Sequence, residues 1–262
     1  MALSRSYVVA GVTGAVLVAI VVMSIAHLKL SSFPRLTEGG GQTGAAVGMF
    51  DSYGLAQTWG NGFCSGASCD KQECKSLPGS YGETHLILHG LWPNYNVASE
   101  HSDYAYPQYC GTYANCESLS APSSCLPDMS NLNYQDFAKY GPGYVMDDNF
   151  LANHEWPKHG SCTGLSQKDF FAAMLALEEK LEIKAGHVWA GKVGSSVSLS
   201  DVYSAYGGKE WVSLSCTDRK LQQVLTCWDK DANGAPTVQI KCPSTIEASN
   251  CPDFFDLPAF GC

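Results

Sequence analysis

The apolar positions of this chain fall into unequal blocks. The first is an uncharged run rich in Val, Ala and Ile, from Tyr7 to Ala26, behind Arg5. It is about long enough to span a bilayer and sits at the amino terminus with a basic flank. It therefore predicts a signal peptide or a signal anchor over residues 1–27. Ser24 and Ala26 supply small residues for cleavage after Ala26. Either outcome places the rest of the chain outside the cell or in a lumen, as a secreted, lysosome- or vacuole-type protein or a type II anchored one. Ser31 to Gly44 is polar and glycine-rich around Gly39-Gly40-Gly41, which predicts a flexible linker over 28–46. A single folded domain is expected over 47–262.

Within that domain the pattern alternates between strand and helix periods. Met49 to Trp59 reads as a strand leading into a cysteine-rich loop. Thr84 to Leu88 is a short apolar strand. Asn94 to Pro127, rich in Tyr, Ser, Pro and Cys, reads as loop held by bridges. Asn149 to His159 is partly helical, with Pro157 awkward inside it. Ser166 opens the clearest helix. Asp169 completes a capping box, Phe170, Phe171, Met174, Leu175 and Leu181 form the apolar face, and Gly186 is the stop. Ser200 to Tyr206 predicts a shorter helix ended by Gly207-Gly208. Trp211 to Cys216, Gln222 to Asp229 and Thr237 to Cys242 then read as three strands. Helices and strands mix without a βαβ rhythm. The expected fold is α+β: a central antiparallel sheet with several helices packed on it, stapled by disulfides.

Composition narrows the compartment. Twelve cysteines in 262 residues match an oxidising route and allow six bridges, though counting does not pair them. A formal net charge of −9 argues against coating nucleic acid by long-range attraction, but not against gripping a few phosphates locally. Falling pH eases repulsion of a polyanion, so activity is expected to favour pH below neutrality.

Two dense segments carry the candidate chemistry: His89-Gly90-Leu91-Trp92-Pro93-Asn94 and His154-Glu155-Trp156-Pro157-Lys158-His159-Gly160-Ser161-Cys162. Cleaving a phosphodiester through its own 2′-hydroxyl needs a base, an acid and positive charge between them. Histidine titrates near pH 6.5, so imidazoles can fill both roles. His89 and His159 form the natural pair, with His154 a third candidate. Lys158 supplies a cation, Glu155 can orient or share a proton, and Trp92 offers a face for a base. Taken singly, each residue is more often structural; their joint occurrence makes the argument.

Both segments resemble the active-site segments of the ribonuclease T2 family of metal-independent acid endoribonucleases. The likeness extends more loosely from Gly54 to Cys242. Leu55-Ala56-Gln57-Thr58-Trp59 resembles the family's first core strand, and Ser200-Asp201-Val202-Tyr203 to Cys216 its later helix-and-strand unit. The resemblance implies single-stranded RNA as substrate and DNA as none, because the reaction uses the 2′-hydroxyl. It also implies His159 as first-step base, His89 as acid, Glu155 and Lys158 stabilising the transition state, His154 holding the phosphate, and no cofactor. Asn94 stands where many relatives carry Asp beside the base pocket, so it is a substrate-binding candidate with altered preference. Ser161 replaces a commoner Thr. Cys110–Cys162 is the bridge the resemblance implies. Cys64–Cys69 and Cys216–Cys227 are further reasonable pairs. A monomer is expected, touching membrane only if the amino-terminal segment is retained.

Two rival classes remain open from sequence. A zinc enzyme is disfavoured because His154 and His159 are five apart, not four as in a His-Glu-x-x-His helix. A binding or signalling protein on the same scaffold is the other, although this chain keeps all three motif histidines.

Overall fold

The computed structural model describes residues 40–65, 68–117 and 122–262. The signal or anchor reading, and the linker as far as residue 39, lie outside them. The centre is a seven-stranded sheet. Strand β2 (Ser52–Trp59) is buried along its whole length, between β3 (Leu86–Asn94) and β7 (Lys220–Lys230), antiparallel to both. Strands β6 (Val212–Thr217) and β8 (Pro236–Ile240) share the other side of β7, again antiparallel.

The sheet is not wholly antiparallel, which corrects the expectation. Strand β9 (Phe254–Asp256) returns from the end of the chain and meets β7 in parallel at Lys220↔Asp256, while its other edge takes β5 (Ser196–Ser198). A parallel pair needs a long connection, and the chain between β7 and β9 provides one. A separate parallel pair joins β1 (Gly41–Thr43) to β4 (Tyr106–Gln108). The glycine-rich stretch thus contributes a strand before residue 46. A Cβ at Gly41 would lie 2.5 Å from the Tyr106 ring, so glycine allows that approach.

One face of the sheet carries the main core. Helix α5 (Gln167–Ala185) lays Phe170, Phe171, Met174, Leu177 and Leu181 against Tyr53, Leu55, Trp59, Val224 and Trp228. The Ser166 hydroxyl accepts the Asp169 N–H at 3.1 Å, the cap that the sequence predicts. Helix α6 (Leu199–Tyr206) ends at Gly207 in the left-handed region, φ 102°. The opposite face carries a smaller cluster of Ala56, Trp92, Leu225, Cys227 and Ile246.

Strand β3 runs through the first motif instead of stopping before it. Pro93 is tolerated because β3 is an outer strand. Its register with β2 jumps between Ala56↔Gly90 and Gln57↔Leu88, leaving His89 as the extra residue of a bulge. Leu86, Leu88 and Leu91 nevertheless all reach the main core.

All cysteines are paired. Cys110–Cys162 forms as the resemblance implies, closing 52 residues of chain, worth about 4 kcal/mol in the disputed chain-entropy model. The other two expected pairs are corrected. Cys64 bonds Cys74, brought back by the short helix α2 (Gln72–Lys75) after α1 (Gly60–Phe63), and Cys69 reaches Cys262. Cys216 lies in register with Leu221, well short of Cys227, so it bonds Cys251 while Cys227 bonds Cys242 beyond β8. Cys116–Cys125 completes the set. The stretch from 94 to 127 holds short 3₁₀ turns and β4 rather than loop alone.

Candidate active site

The two motifs meet where β3 lies beside helix α4 (Phe150–Lys158). Three consecutive left-handed residues, Asp147, Asp148 and Asn149, turn the chain into that helix. Helix α3 (Tyr134–Tyr140) precedes this turn. Pro157 sits in the last helical turn, so its missing N–H costs one helical bond and α4 still extends to Lys158. The His159 N–H closes on the Glu155 carbonyl at 2.9 Å. Cys110 then ties the end of α4 to β4 twice, through its disulfide to Cys162 and through its N–H to the Ser161 hydroxyl at 3.0 Å.

Glu155 is the hub. Its Oε2 accepts the Trp92 indole N–H at 2.7 Å, and its Oε1 lies 3.8 Å from His89 Nε2. His89 and His159 both lie against the same indole, with ring centroids 5.5 and 5.6 Å from that of Trp92. The Tyr106 ring lies 6.0 Å from His159. Gly90 makes the hub possible. A Cβ there would sit 2.6 Å from Trp92 Nε1 and 2.8 Å from the Glu155 carboxyl carbon.

His154 and Lys158 join this group through charge. His154 stacks parallel on Phe150 of the same helix, 6.3 Å away. Lys158 sits one residue before His159, and its carbonyl accepts the Tyr109 N–H at 2.9 Å. The structure does not bring Asn94 into the group. Its side chain is 1% exposed, and its amide donates to the Tyr95 carbonyl and the Thr245 hydroxyl, each at 2.7 Å.

Burial governs protonation here. It pushes His89 down to about 3, helped by the positive fields of His154 and Lys158. It pushes His154 down to about 4, again helped by Lys158. His159 falls well below the ordinary histidine value for the same reasons, with His89 adding to them. The Glu155 carboxyl moves the other way. Burial raises it to about 7, against the pull of Lys158 and of the Trp92 hydrogen bond. At mildly acidic pH the site therefore holds neutral imidazoles beside a protonated carboxyl.

Two residues of this neighbourhood escape a reading of the sequence. The Thr58 hydroxyl lies 3.2 Å from His89 Nδ1, and the Tyr144 hydroxyl donates to the His89 carbonyl at 2.7 Å. Only strand pairing places Thr58 beside His89, and nothing in the pattern around Tyr144 marks it. Among the described residues no group of three His, Cys, Asp or Glu is arranged to hold a metal ion, and no helix is long and apolar enough to cross a membrane.

Comparison with known proteins adds independent findings. The model of the Ribonuclease T2 family matches residues 50–242. A ribonuclease of Aeromonas hydrophila is 33% identical over 142 residues, which is 54% of this chain and 51% of that relative. Ribonuclease 1 of Arabidopsis thaliana is 28% identical over 223 residues, 80% of this chain and 87% of the relative. In fold the chain is similar to the RNase-related protein from Calystegia sepium, with a TM-score of 0.56 at 24% identity over 81% of this chain and 98% of that one.

Proposed function

Because the chain belongs to the ribonuclease T2 family, we propose that it is an endoribonuclease that cleaves single-stranded RNA by transphosphorylation without a metal ion. The 2′-hydroxyl attacks the adjacent phosphorus and the 5′-oxygen leaves, giving a 2′,3′-cyclic phosphate. Water then opens the ring to a 3′-phosphate. In the first step His159 takes the hydroxyl proton and His89 protonates the leaving oxygen; in the second the roles reverse. Lys158 stabilises charge on the phosphoryl group, Glu155 shares its proton with the neighbouring imidazole, His154 holds the phosphate, and Trp92 offers its face to a base.

The observation that supports this reading is that His89 and His159, from separate motifs, both lie against one indole, with ring centroids 5.5 and 5.6 Å from that of Trp92, and that Glu155 reaches both that indole and His89. The low basicity of these imidazoles fits the same reading. A phosphodiester anion entering the site offsets the field of Lys158 and raises their proton affinity. The proton on Glu155 then passes to His89, arming it as the acid. Above about pH 7 Glu155 has lost that proton, so activity is expected to fall on the alkaline side. Six disulfides support an extracellular or lumenal setting. The test is a gel assay with RNA and DNA at pH 5 and pH 7, with and without chelator. RNA cleavage that resists chelator and spares DNA is the expected result. Loss of activity with chelator, or a profile peaking well above pH 7, removes the reading.

A further inference from the structure

We infer that Thr58 is a positioning residue for His89: its hydroxyl accepts the Nδ1 proton and so confines the exchangeable proton to Nε2. The assignment deepens the ribonuclease reading and rests on it for its kinetic arm. Its geometric basis is independent.

Three observations place His89. It is the extra residue of the β3 bulge, where the register with β2 passes from Ala56↔Gly90 to Gln57↔Leu88. Bulges re-aim a side chain next to a site, and here the ring lies against Thr58 of the neighbouring strand, Oγ1 to Nδ1 at 3.2 Å. The Tyr144 hydroxyl grips the carbonyl of the same bulged residue at 2.7 Å, fixing the backbone from which the ring projects. The other ring nitrogen, Nε2, faces Glu155 Oε1 at 3.8 Å, on the side of Trp92. Each nitrogen of His89 therefore has its own environment, one a hydroxyl and the other the carboxyl hub.

The chemistry requires that division. In the first step imidazolium gives its Nε2 proton to the leaving oxygen; in the second, neutral Nε2 takes a proton from water. Nδ1 keeps its hydrogen throughout, so its partner must accept in both states. A threonine hydroxyl can do so because its oxygen accepts while its own hydrogen points elsewhere. Thr58 is 6% exposed and the His89 side chain 13%, so removing the hydroxyl takes this acceptor from an Nδ1–H with limited access to water. The neutral ring then shifts toward the tautomer protonated on Nε2, which cannot act as a base there.

Thr58→Val keeps the shape of the side chain and removes the hydroxyl; Thr58→Ser keeps the hydroxyl and removes the methyl. In Thr58→Val, kcat should fall by about tenfold or more, within the ~100-fold that misplacing a reacting group costs, with KM little changed. The limb of the kcat–pH profile belonging to His89 should shift. Thr58→Ser should recover most of kcat. Nitrogen-15 NMR of the His89 ring in the unliganded protein reads the tautomer directly: Nδ1–H in the wild type and the serine variant, a loss of Nδ1–H in the valine variant. Wild-type kcat together with an unchanged tautomer in Thr58→Val overturns the proposal. So does a serine variant as impaired as valine, which would assign the effect to packing. A wild-type protein that cleaves no RNA would instead sink the ribonuclease reading, while the NMR result would still decide the role of Thr58.

Discussion

Two buried carboxyls lie on opposite faces of the same sheet, and only one of them is at the candidate active site. Glu155 and Glu178 are each 1% exposed. Each accepts one N–H, Glu155 from Trp92 at 2.7 Å and Glu178 from Gln57 at 2.9 Å. Burial raises both, to about 7 and about 8. The shift alone does not mark a site, because desolvation acts on any carboxyl taken out of water. The neighbours differ. Glu155 faces His89, Trp92 and the field of Lys158, groups that can pass a proton or hold an anion. Glu178 faces Gln57 and the like charge of Glu182, and it projects from the buried side of α5. A perturbed acid becomes chemistry only where a second titrating group can take its proton.

Substitutions can break that contrast, from the largest expected effect to the smallest. His89→Ala or His159→Ala should each lower kcat/KM by about 10²–10⁴-fold or more while the protein still folds. Near-native turnover in either purified variant would remove the pair from catalysis. Glu155→Gln should cost on the order of 10²-fold in kcat, whereas Glu178→Gln should leave turnover near wild type. Equal losses in the two would dissolve the distinction. Gly90→Ala should cost roughly tenfold to a hundredfold by pushing Trp92 and Glu155 apart. Circular dichroism would show whether the fold survives it.

The smallest effect is on stability against pH. Glu73, Glu155 and Glu178 hold protons in the folded protein up to about 7, 7 and 8, while unfolded carboxyls release them near 4.5. Their contribution is fully present below that unfolded value and is lost as pH rises through the folded ones. His89 and His154 resist protonation down to about 3 and 4, and His159 resists it too, whereas unfolded imidazoles bind protons below 6.5. Their contribution is present above 6.5 and is lost as pH falls. The melting temperature should therefore be flattest between the two unfolded values, where the opposing terms offset, and should drop on both sides. Glu178→Gln should soften the alkaline drop without touching the acid one. Melting curves at fixed ionic strength check both statements.

How much of this was legible in the sequence follows from which interactions are local. The α5 helix, its Ser166 cap and its Gly186 stop were legible because capping and a 3.6-residue period act within a few residues. The two motif segments were legible because their density of imidazole and indole is unusual at short range. The pairings of Cys64 and Cys216 are not legible in spacing, because helix α2 brings Cys74 to Cys64, the returning tail takes Cys69, and strand register holds Cys216 away from Cys227. The parallel strands β9 and β1 were missed because three-residue strands carry no period. The motif marks Asn94 as a substrate-binding candidate by resemblance alone, and only the strand's packing shows that its amide donates to Thr245. Thr58 was missed for the same reason in reverse.

The bulge at His89 has one more consequence, for what the scaffold tolerates. Leucines at 86 and 88 are in step with each other and out of step with the one at 91, so a regular strand could not bury all three. The extra residue resets the phase, and the architecture demands only that some residue occupy that place. The identity of its side chain is therefore a matter for the reaction, not for the core. A lineage that gave up RNA cleavage could exchange this imidazole and keep an intact shell for another purpose.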